Sequence, residues 1–146
     1  MFGDQVRSER KRILVVDQDG TTREFLANII KLLGCDFHLA ESVEEARQTL
    51  EEQVFDLLIT DLHLPECRKL IENCLQRLPN LRAIFMVRQR QLMVETFHLS
   101  NTRFIPKPFN FDDMINTIRQ AMHDKHLQEM EAEFRRLRRE TFRILI

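Results

Sequence analysis

This sequence lacks the features that mark several common classes of protein. Its formal net charge is only −1 at pH 7, whereas a dedicated nucleic-acid module usually carries a basic excess on one face. No apolar run approaches the ~20 residues needed to span a bilayer, and no secretory leader is apparent. Only three glycines are present, and they form no phosphate-cradling loop. These absences disfavour direct nucleic-acid contact, membrane insertion and nucleotide binding of the P-loop or Rossmann type.

The cysteine content is low and odd in number, at three. An odd count without a leader argues against a secreted disulfide framework and predicts a reducing, cytoplasmic compartment. Cys67 and Cys74 lie seven residues apart on one face of a predicted helix. We interpret them as ordinary core or surface thiols, and a metal or redox role is the less favoured alternative.

Short aliphatic runs that end in polar residues are the most informative pattern present. Three of them lead into charged side chains, namely Ile13 to Val16 before Asp17, Phe55 to Thr60 before Asp61, and Arg103 to Ile105 before Lys107. Helical patterns of about ten to fifteen residues separate the runs, which predicts a doubly wound α/β fold with a parallel sheet. Residues just beyond the carboxyl ends of neighbouring parallel strands share one crevice. We therefore expect the carboxylate pair of Asp17 and Asp19, the carboxylate of Asp61 and the lysine to converge there.

Capping signals predict where three of the helices begin. They are Thr21 or Thr22, the capping box of Ser42 and Glu45, and Asn110 with Asp113. Each signal precedes apolar residues at helical spacing, as expected for a helix packed on a sheet.

Three motifs in this order resemble the receiver domain of two-component response regulators. They are Val15-Val16-Asp17, the segment from Asp56 to Pro65, and Lys107-Pro108-Phe109. The resemblance spans residues 12–122 and implies a flavodoxin-like, five-stranded parallel sheet of order 2-1-3-4-5. It also implies a signalling protein, not an enzyme, that accepts a phosphoryl group from a sensor histidine kinase.

The resemblance also implies roles for individual residues at the expected crevice. Asp61 would be the phosphoacceptor, and Lys107, joined to its proline by a cis peptide bond, would contact the phosphoryl oxygens. Asp17, Asp61 and the backbone carbonyl of His63 would hold Mg²⁺. Phe104 would be the aromatic switch residue.

The sequence departs from the family pattern at three positions near this site. Gln18 stands where the family has a second metal-binding carboxylate, and a neutral amide is a poorer Mg²⁺ ligand, so weak binding is expected. Val87 replaces the switch hydroxyl, and Arg88 replaces the small residue after it. The alternative function is therefore a degenerate receiver that acts as a phosphorylation-independent dimerisation module.

The two ends of the chain are predicted to lie outside the receiver. Residues 1–11 are polar and show no helix or strand periodicity, so we predict a flexible leader.

Residues 123–146 continue the helical pattern that begins at Asn110, without proline or glycine. The whole helix from Asn110 to the last residue would measure about 54 Å at 1.5 Å per residue. The apolar residues of this extension follow heptad spacing, namely Leu127, Met130, Phe134, Leu137 and Ile144. Such a narrow seam is typical of a coiled coil, which predicts a homodimer, parallel in preference to antiparallel, although the helix folding back on its own domain is an alternative.

Overall fold

The computed structural model of the protein describes residues 10–78, 80–88 and 102–145. The side chains of residues 75, 124–132, 134 and 140–145 lie outside that description. Strands and helices alternate along the described ranges. The strands are β1 (Arg12–Val16), β2 (Asp36–Ala40), β3 (Leu57–Asp61), β4 (Arg82–Val87) and β5 (Thr102–Pro106). The helices are α1 (Gly20–Leu32), α2 (Val43–Glu52), α3 (Cys67–Arg77) and α4 (Phe111–Leu145).

The five strands form one parallel sheet in the order β2-β1-β3-β4-β5. This order confirms the predicted doubly wound, flavodoxin-like fold. The central strands β1, β3 and β4 are buried almost throughout, as expected for parallel strands that are covered by helices on both faces.

Each face of the sheet has its own apolar core, because side chains alternate from one face to the other along a strand. One core packs the sheet against α1 and α4 and includes Ile13, Val15, Leu57, Ile59, Ile84, Met86, Leu26, Ile29, Met114 and Ile118. The second packs it against α2 and α3 and includes Leu14, Val16, Leu58, Phe85, Val87, Ala46, Leu70 and Ile71. We call these the α1/α4 face and the α2/α3 face. Burying each large apolar side chain contributes roughly 1.5 to 3 kcal/mol, so the cores fix which way every strand-end residue points.

Two of the predicted helix caps are present. The side chain of Asn110 accepts a hydrogen bond from the backbone amide of Asp113 at 2.8 Å. The hydroxyl of Ser42 accepts one from the amide of Glu45 at 3.2 Å. The Glu45 carboxylate binds the backbone amide of Glu41 at 2.9 Å, one residue before the position that a complete capping box uses.

The predicted cap of α1 by a threonine is wrong. Asp19 is the N-cap, and its carboxylate accepts hydrogen bonds from the backbone amides of Thr21 and Thr22, both at 3.3 Å. Helix α1 therefore begins at Gly20. An aspartate placed directly before the first turn reaches the second and third amides of a helix, which neither threonine can do from inside that turn.

Helix α4 is a single helix of 35 residues, as the uninterrupted pattern predicts. Its first turns bury Met114 and Ile118 on the α1/α4 face. Leu137 is 47% exposed, and the other seam residues, Leu127, Met130, Phe134 and Ile144, have side chains outside the described part. In the described ranges, no helix is both long and apolar enough to cross a bilayer.

The described chain begins with two residues of the predicted leader. Arg10 lies 3.4 Å from the carboxylate of Asp36, and the Lys11 carbonyl accepts a hydrogen bond from the Asp36 amide at 2.9 Å. Both residues thus contact β2, while residues 1–9 of that leader lie outside the described residues.

Candidate functional site

Three of the charged side chains predicted to converge lie together at the carboxyl edge of the sheet. Asp17 follows β1, Asp61 ends β3 and Lys107 follows β5. The Lys107 ammonium lies 2.7 Å from Asp17 Oδ2 and 3.4 Å from Asp61 Oδ2. The two carboxylates are 2% and 4% exposed. They meet because each continues the series of side chains on the α1/α4 face of its strand.

Both oxygens of Asp17 are engaged. Oδ1 accepts a hydrogen bond from the Asp19 amide at 2.8 Å, and Oδ2 receives the Lys107 ammonium. The Asp17 carbonyl accepts a hydrogen bond from the Arg23 guanidinium at 2.6 Å. A buried carboxylate needs such partners, because an uncompensated charge in the interior is strongly unfavourable.

Asp61 is held less tightly than Asp17. Its Oδ1 atom accepts a hydrogen bond from the His63 backbone amide at 2.9 Å, while Oδ2 has the longer contact with Lys107. The His63 imidazole crosses to the neighbouring strand, where Nε2 accepts a hydrogen bond from the Arg88 amide at 3.3 Å. The resemblance implies a role only for the backbone carbonyl of His63, and this contact of the imidazole is not predicted. The peptide bond between Lys107 and Pro108 is cis, as the resemblance implies.

The residues predicted to hold Mg²⁺ stand at the same edge of the sheet. Asp17, Asp61 and the backbone of His63 offer hard oxygen donors, the type that Mg²⁺ prefers while it keeps several waters. Gln18 adds an uncharged side chain. Within the described part of the chain, no group of three or more His, Cys, Asp or Glu side chains is arranged to hold a metal. The fit to Mg²⁺ thus rests on the oxygen donors of two carboxylates and one backbone carbonyl.

Asp19 does not replace the missing carboxylate at Gln18. Besides capping α1, it accepts a hydrogen bond from the Thr22 hydroxyl at 2.8 Å. This hydrogen bond lowers the pKa of the Asp19 carboxyl, and the bonds from the helix amides act in the same direction. Asp19 is thus ionised as a helix cap, and its oxygens are directed at α1.

A cavity of about 750 Å³ opens over the charged groups. Asp17, Asp61 and Lys107 line it together with Phe25, Phe109 and Arg88. The rings of Phe25 and Phe109 lie 6.0 Å apart and provide an apolar wall. The volume falls within the range of about 300 to 1,000 Å³ that is usual for small-ligand sites.

The predicted switch residues lie on the opposite face of the sheet from this cavity. Val87 is fully buried in the core of the α2/α3 face. Phe104 packs partly buried against the same core, with its ring 5.4 Å from that of Phe85. The two residues thus share one core, and neither lines the cavity.

The cysteines of α3 are core residues. Cys67 and Cys74 are buried on the α2/α3 face, and the Thr60 hydroxyl lies 3.6 Å from the Cys67 sulfur. Burial raises the pKa of Cys67 to about 11 and raises that of Cys74 as well. Because the thiolate is the reactive form, these protonated thiols are inert at neutral pH.

Two arginines that are not predicted site residues also belong to the site. Arg23 holds the Asp17 carbonyl and also lies 3.4 Å from Glu41. Arg88 lines the cavity, while the sequence identifies it only as a departure from the family pattern. No local signal places it, because β4 is buried on both faces. In the folded sheet, Arg88 follows Ile84 and Met86 at the two-residue spacing of the α1/α4 face.

Comparison with known proteins agrees with the fold and the motifs. The family model of the response regulator receiver domain matches residues 13–119. The response regulator receiver protein CpdR of Brucella abortus (strain 2308) is 25% identical over 116 residues, covering 77% of this chain and 97% of CpdR. Other curated relatives are longer proteins, of which this chain spans between 25% and 61%.

Solved structures with the same fold include two response regulators. The CheY-like receiver domain protein of Methanospirillum hungatei JF-1 has a TM-score of 0.74 and 24% identity, covering 82% of this chain and 99% of that one. TrrA of Thermotoga maritima, solved in complex with Mg²⁺-BeF, has a TM-score of 0.68 and 24% identity, covering 76% and 98%. The match to the family extends over most of the sequence and both cores, and the chain belongs to the response regulator receiver domain family.

Proposed function

We propose that Asp61 accepts a phosphoryl group from a sensor histidine kinase and that the signal is transmitted through a dimeric C-terminal helix. Receiver domains are generally phosphorylated on an aspartate by such kinases, bind Mg²⁺ there and signal without being enzymes. The observation that carries the proposal is the Lys107 ammonium, 2.7 Å from one buried carboxylate and 3.4 Å from the other. The proposed receiver is residues 12–122, and residues 123–146 form the extension.

Phosphoryl transfer needs a nucleophile and neutralisation of charge. An oxygen of Asp61 forms a bond to phosphorus while the bond from phosphorus to the donor imidazole nitrogen breaks. The electron pair remains on that nitrogen, which takes up a proton. We assign the attack to Oδ2, because Oδ1 is already held by the His63 amide. The Lys107 ammonium neutralises charge on the group in transfer.

Mg²⁺, when bound, would neutralise further charge on the phosphoryl oxygens. Asp17, Asp61 and the backbone carbonyl of His63 are the residues that would hold it. We propose weak binding for two reasons. Gln18 contributes no negative charge, and Asp17 Oδ2 already has a cationic partner in Lys107.

The proposed partners are the kinase and a second copy of this chain. The arginines of the extension point to a solvated helix face and not to nucleic-acid contact, since Arg136 pairs with Glu133 and Arg135, Arg138 and Arg139 are exposed. The three cysteines are free, which supports a reducing, cytoplasmic location.

A second candidate function is a receiver that dimerises without being phosphorylated. Gln18 and the close pairing of Lys107 with Asp17 favour it, because both reduce the affinity of the site for a cation. Val87 favours it too, since a buried side chain without a hydroxyl cannot report a phosphoryl group. Phosphorylation of the wild-type chain separates the two candidates.

The decisive experiment is incubation of the full chain with a small phosphodonor and MgCl₂, followed by intact-mass measurement. We expect the mass of one added phosphoryl group, absent in Asp61→Asn and present in a control variant at an exposed acid, Asp112→Asn. An increase that persists in Asp61→Asn would show that the site assignment is wrong. A wild-type protein that takes up no phosphoryl group would support the second candidate.

A further inference from the structure

Arg88 lies at the cavity that contains Asp61. Along β4, Ile84 and Met86 face the α1/α4 side, and Arg88 follows them at the same spacing. Arg88 lines this cavity together with Asp61 and Lys107. Val87 points to the opposite face, so Arg88, directly after the end of β4, follows on the side of the cavity.

The backbone of Arg88 is anchored beside the phosphoacceptor. Its amide donates to His63 Nε2 at 3.3 Å, and the amide of His63 in turn binds Asp61 Oδ1 at 2.9 Å. Two hydrogen bonds therefore connect the end of β4 with the carboxylate at the end of β3.

The charge of Arg88 is available, whereas that of Lys107 is already shared. Lys107 lies 2.7 Å from Asp17 and 3.4 Å from Asp61. The guanidinium of Arg88 forms no ion pair with any residue in the described ranges. An acyl phosphate on Asp61 would add negative charge to the cavity, of the order of −1.5 to −2 for a phosphoryl group near neutral pH. Arg88 is a second cation at the cavity that can receive this charge.

We propose that Arg88 binds the phosphoryl group of phosphorylated Asp61, in place of the contact that Val87 cannot make. The planar guanidinium presents two parallel N–H donors that match two phosphoryl oxygens. This contact exists only after transfer begins, so it favours the phosphorylated state over the free one. The inference rests on the proposed function, because it requires Asp61 to be the acceptor.

The test measures the initial rate at which Asp61 is labelled in the full chain by phosphoramidate with MgCl₂. We expect Arg88→Ala to lower the rate about tenfold, the usual scale for loss of a charge-assisted hydrogen bond. The labelling rate of Arg88→Lys should be intermediate, because lysine keeps the positive charge but lacks the two parallel N–H donors of the guanidinium. Arg119→Ala removes an exposed arginine on α4 and should leave the rate unchanged.

Each outcome either supports or overturns the inference. A wild-type chain that is labelled on Asp61 no faster than Arg88→Ala overturns it and leaves the proposed function intact. A wild-type chain that takes no label on Asp61 overturns both. If Arg88→Ala lowers the melting temperature, the labelling rate of Arg88→Gln is compared with the wild type instead, since glutamine keeps a planar polar side chain without the charge. Labelling of Arg88→Gln at the wild-type rate overturns the inference.

Discussion

At the scale of single residues, the site consists of two buried carboxylates and one ammonium group close to both. Asp17 and Asp61 are both buried, and the Lys107 ammonium lies between them. Removing one partner of such a group leaves an uncompensated buried charge, which costs about 3 to 5 kcal/mol in comparable pairs. Gln18 lines the same cavity without altering this balance, which makes it the natural position for adjusting cation affinity.

Replacing Gln18 with aspartate should tighten Mg²⁺ binding. An added carboxylate at the cavity restores one negative charge close to the cation, and we expect the dissociation constant to fall about tenfold, or ~1.4 kcal/mol. Titration of the amide resonances with MgCl₂ measures it. Gln76→Asp adds the same charge on α3, outside the cavity, as a control. Equal affinities for the wild type and Gln18→Asp would contradict this explanation.

Val87 should limit how far a phosphoryl signal spreads through the molecule. The bound group has little differential contact with a buried valine, so it cannot shift the position of Phe104 strongly. Amide spectra with and without beryllofluoride should show changes confined to the cavity. In Val87→Thr, which supplies a hydroxyl at nearly the same volume, the changes should extend to Phe104. Broad changes through Phe104 in the wild type would refute this.

At the scale of elements, strand ends and helix starts place the site. β1, β3 and β5 end at one edge, and α1 begins above it with its cap at Asp19. Arg23, one turn into α1, returns to the Asp17 carbonyl. Helix α4 starts next to the site at Phe111, and its first turns cover the α1/α4 face. The caps of these helices thus contribute to both stability and site geometry.

Replacing Asn110 with alanine should destabilise the receiver by about 1 kcal/mol through loss of the α4 cap. Its side chain accepts the Asp113 amide at 2.8 Å, and that amide has no partner within the helix. Asn110→Asp should retain the stability. Asn116→Ala, in the exposed interior of the same helix, should not be destabilising because alanine is the better helix former. Urea unfolding measures all three, and an Asn110→Ala midpoint equal to the wild type would contradict the assignment.

At the scale of the whole molecule, the receiver and the extension differ in how they are stabilised. Among the residues whose side chains are described, the members of both apolar cores lie between Ile13 and Met122. Beyond them α4 continues for more than twenty residues, and Leu137 on that part is 47% exposed. A long helix with an apolar seam gains stability by covering that seam with a second helix.

Truncation after Lys125 should leave a folded monomer, whereas the full chain should sediment as a dimer. Both cores remain in the truncated protein, and the seam is lost. In the full chain, Leu137→Glu should weaken the dimer by placing a charge on the seam, and Arg139→Glu, an exposed position on the outer side of the helix, serves as the control. A truncated protein that remains dimeric would place the interface on the receiver. A monomeric full chain would favour the helix folding back on its own domain.

Much of the fold follows from local patterns in the sequence. Aliphatic runs with helices between them define a parallel sheet, and their acidic or basic ends predict where Asp17, Asp61 and Lys107 meet. The caps at Ser42 and Asn110 are equally local, since donor and acceptor are three residues apart. Such features depend on periodicity and short-range hydrogen bonding, which a sequence displays directly.

Other parts of the site depend on contacts between distant residues. The Lys107 ammonium meets Asp17 across 90 positions of the chain, and His63 accepts the Arg88 amide across 25. The direction of Arg88 into the cavity, like that of Val87 away from it, depends on the packing of both faces of β4. Local periodicity indicates a buried strand there, but a strand buried on both faces has no polar alternation to distinguish them. Only the assembled cores of the sheet determine which side chain faces Asp61.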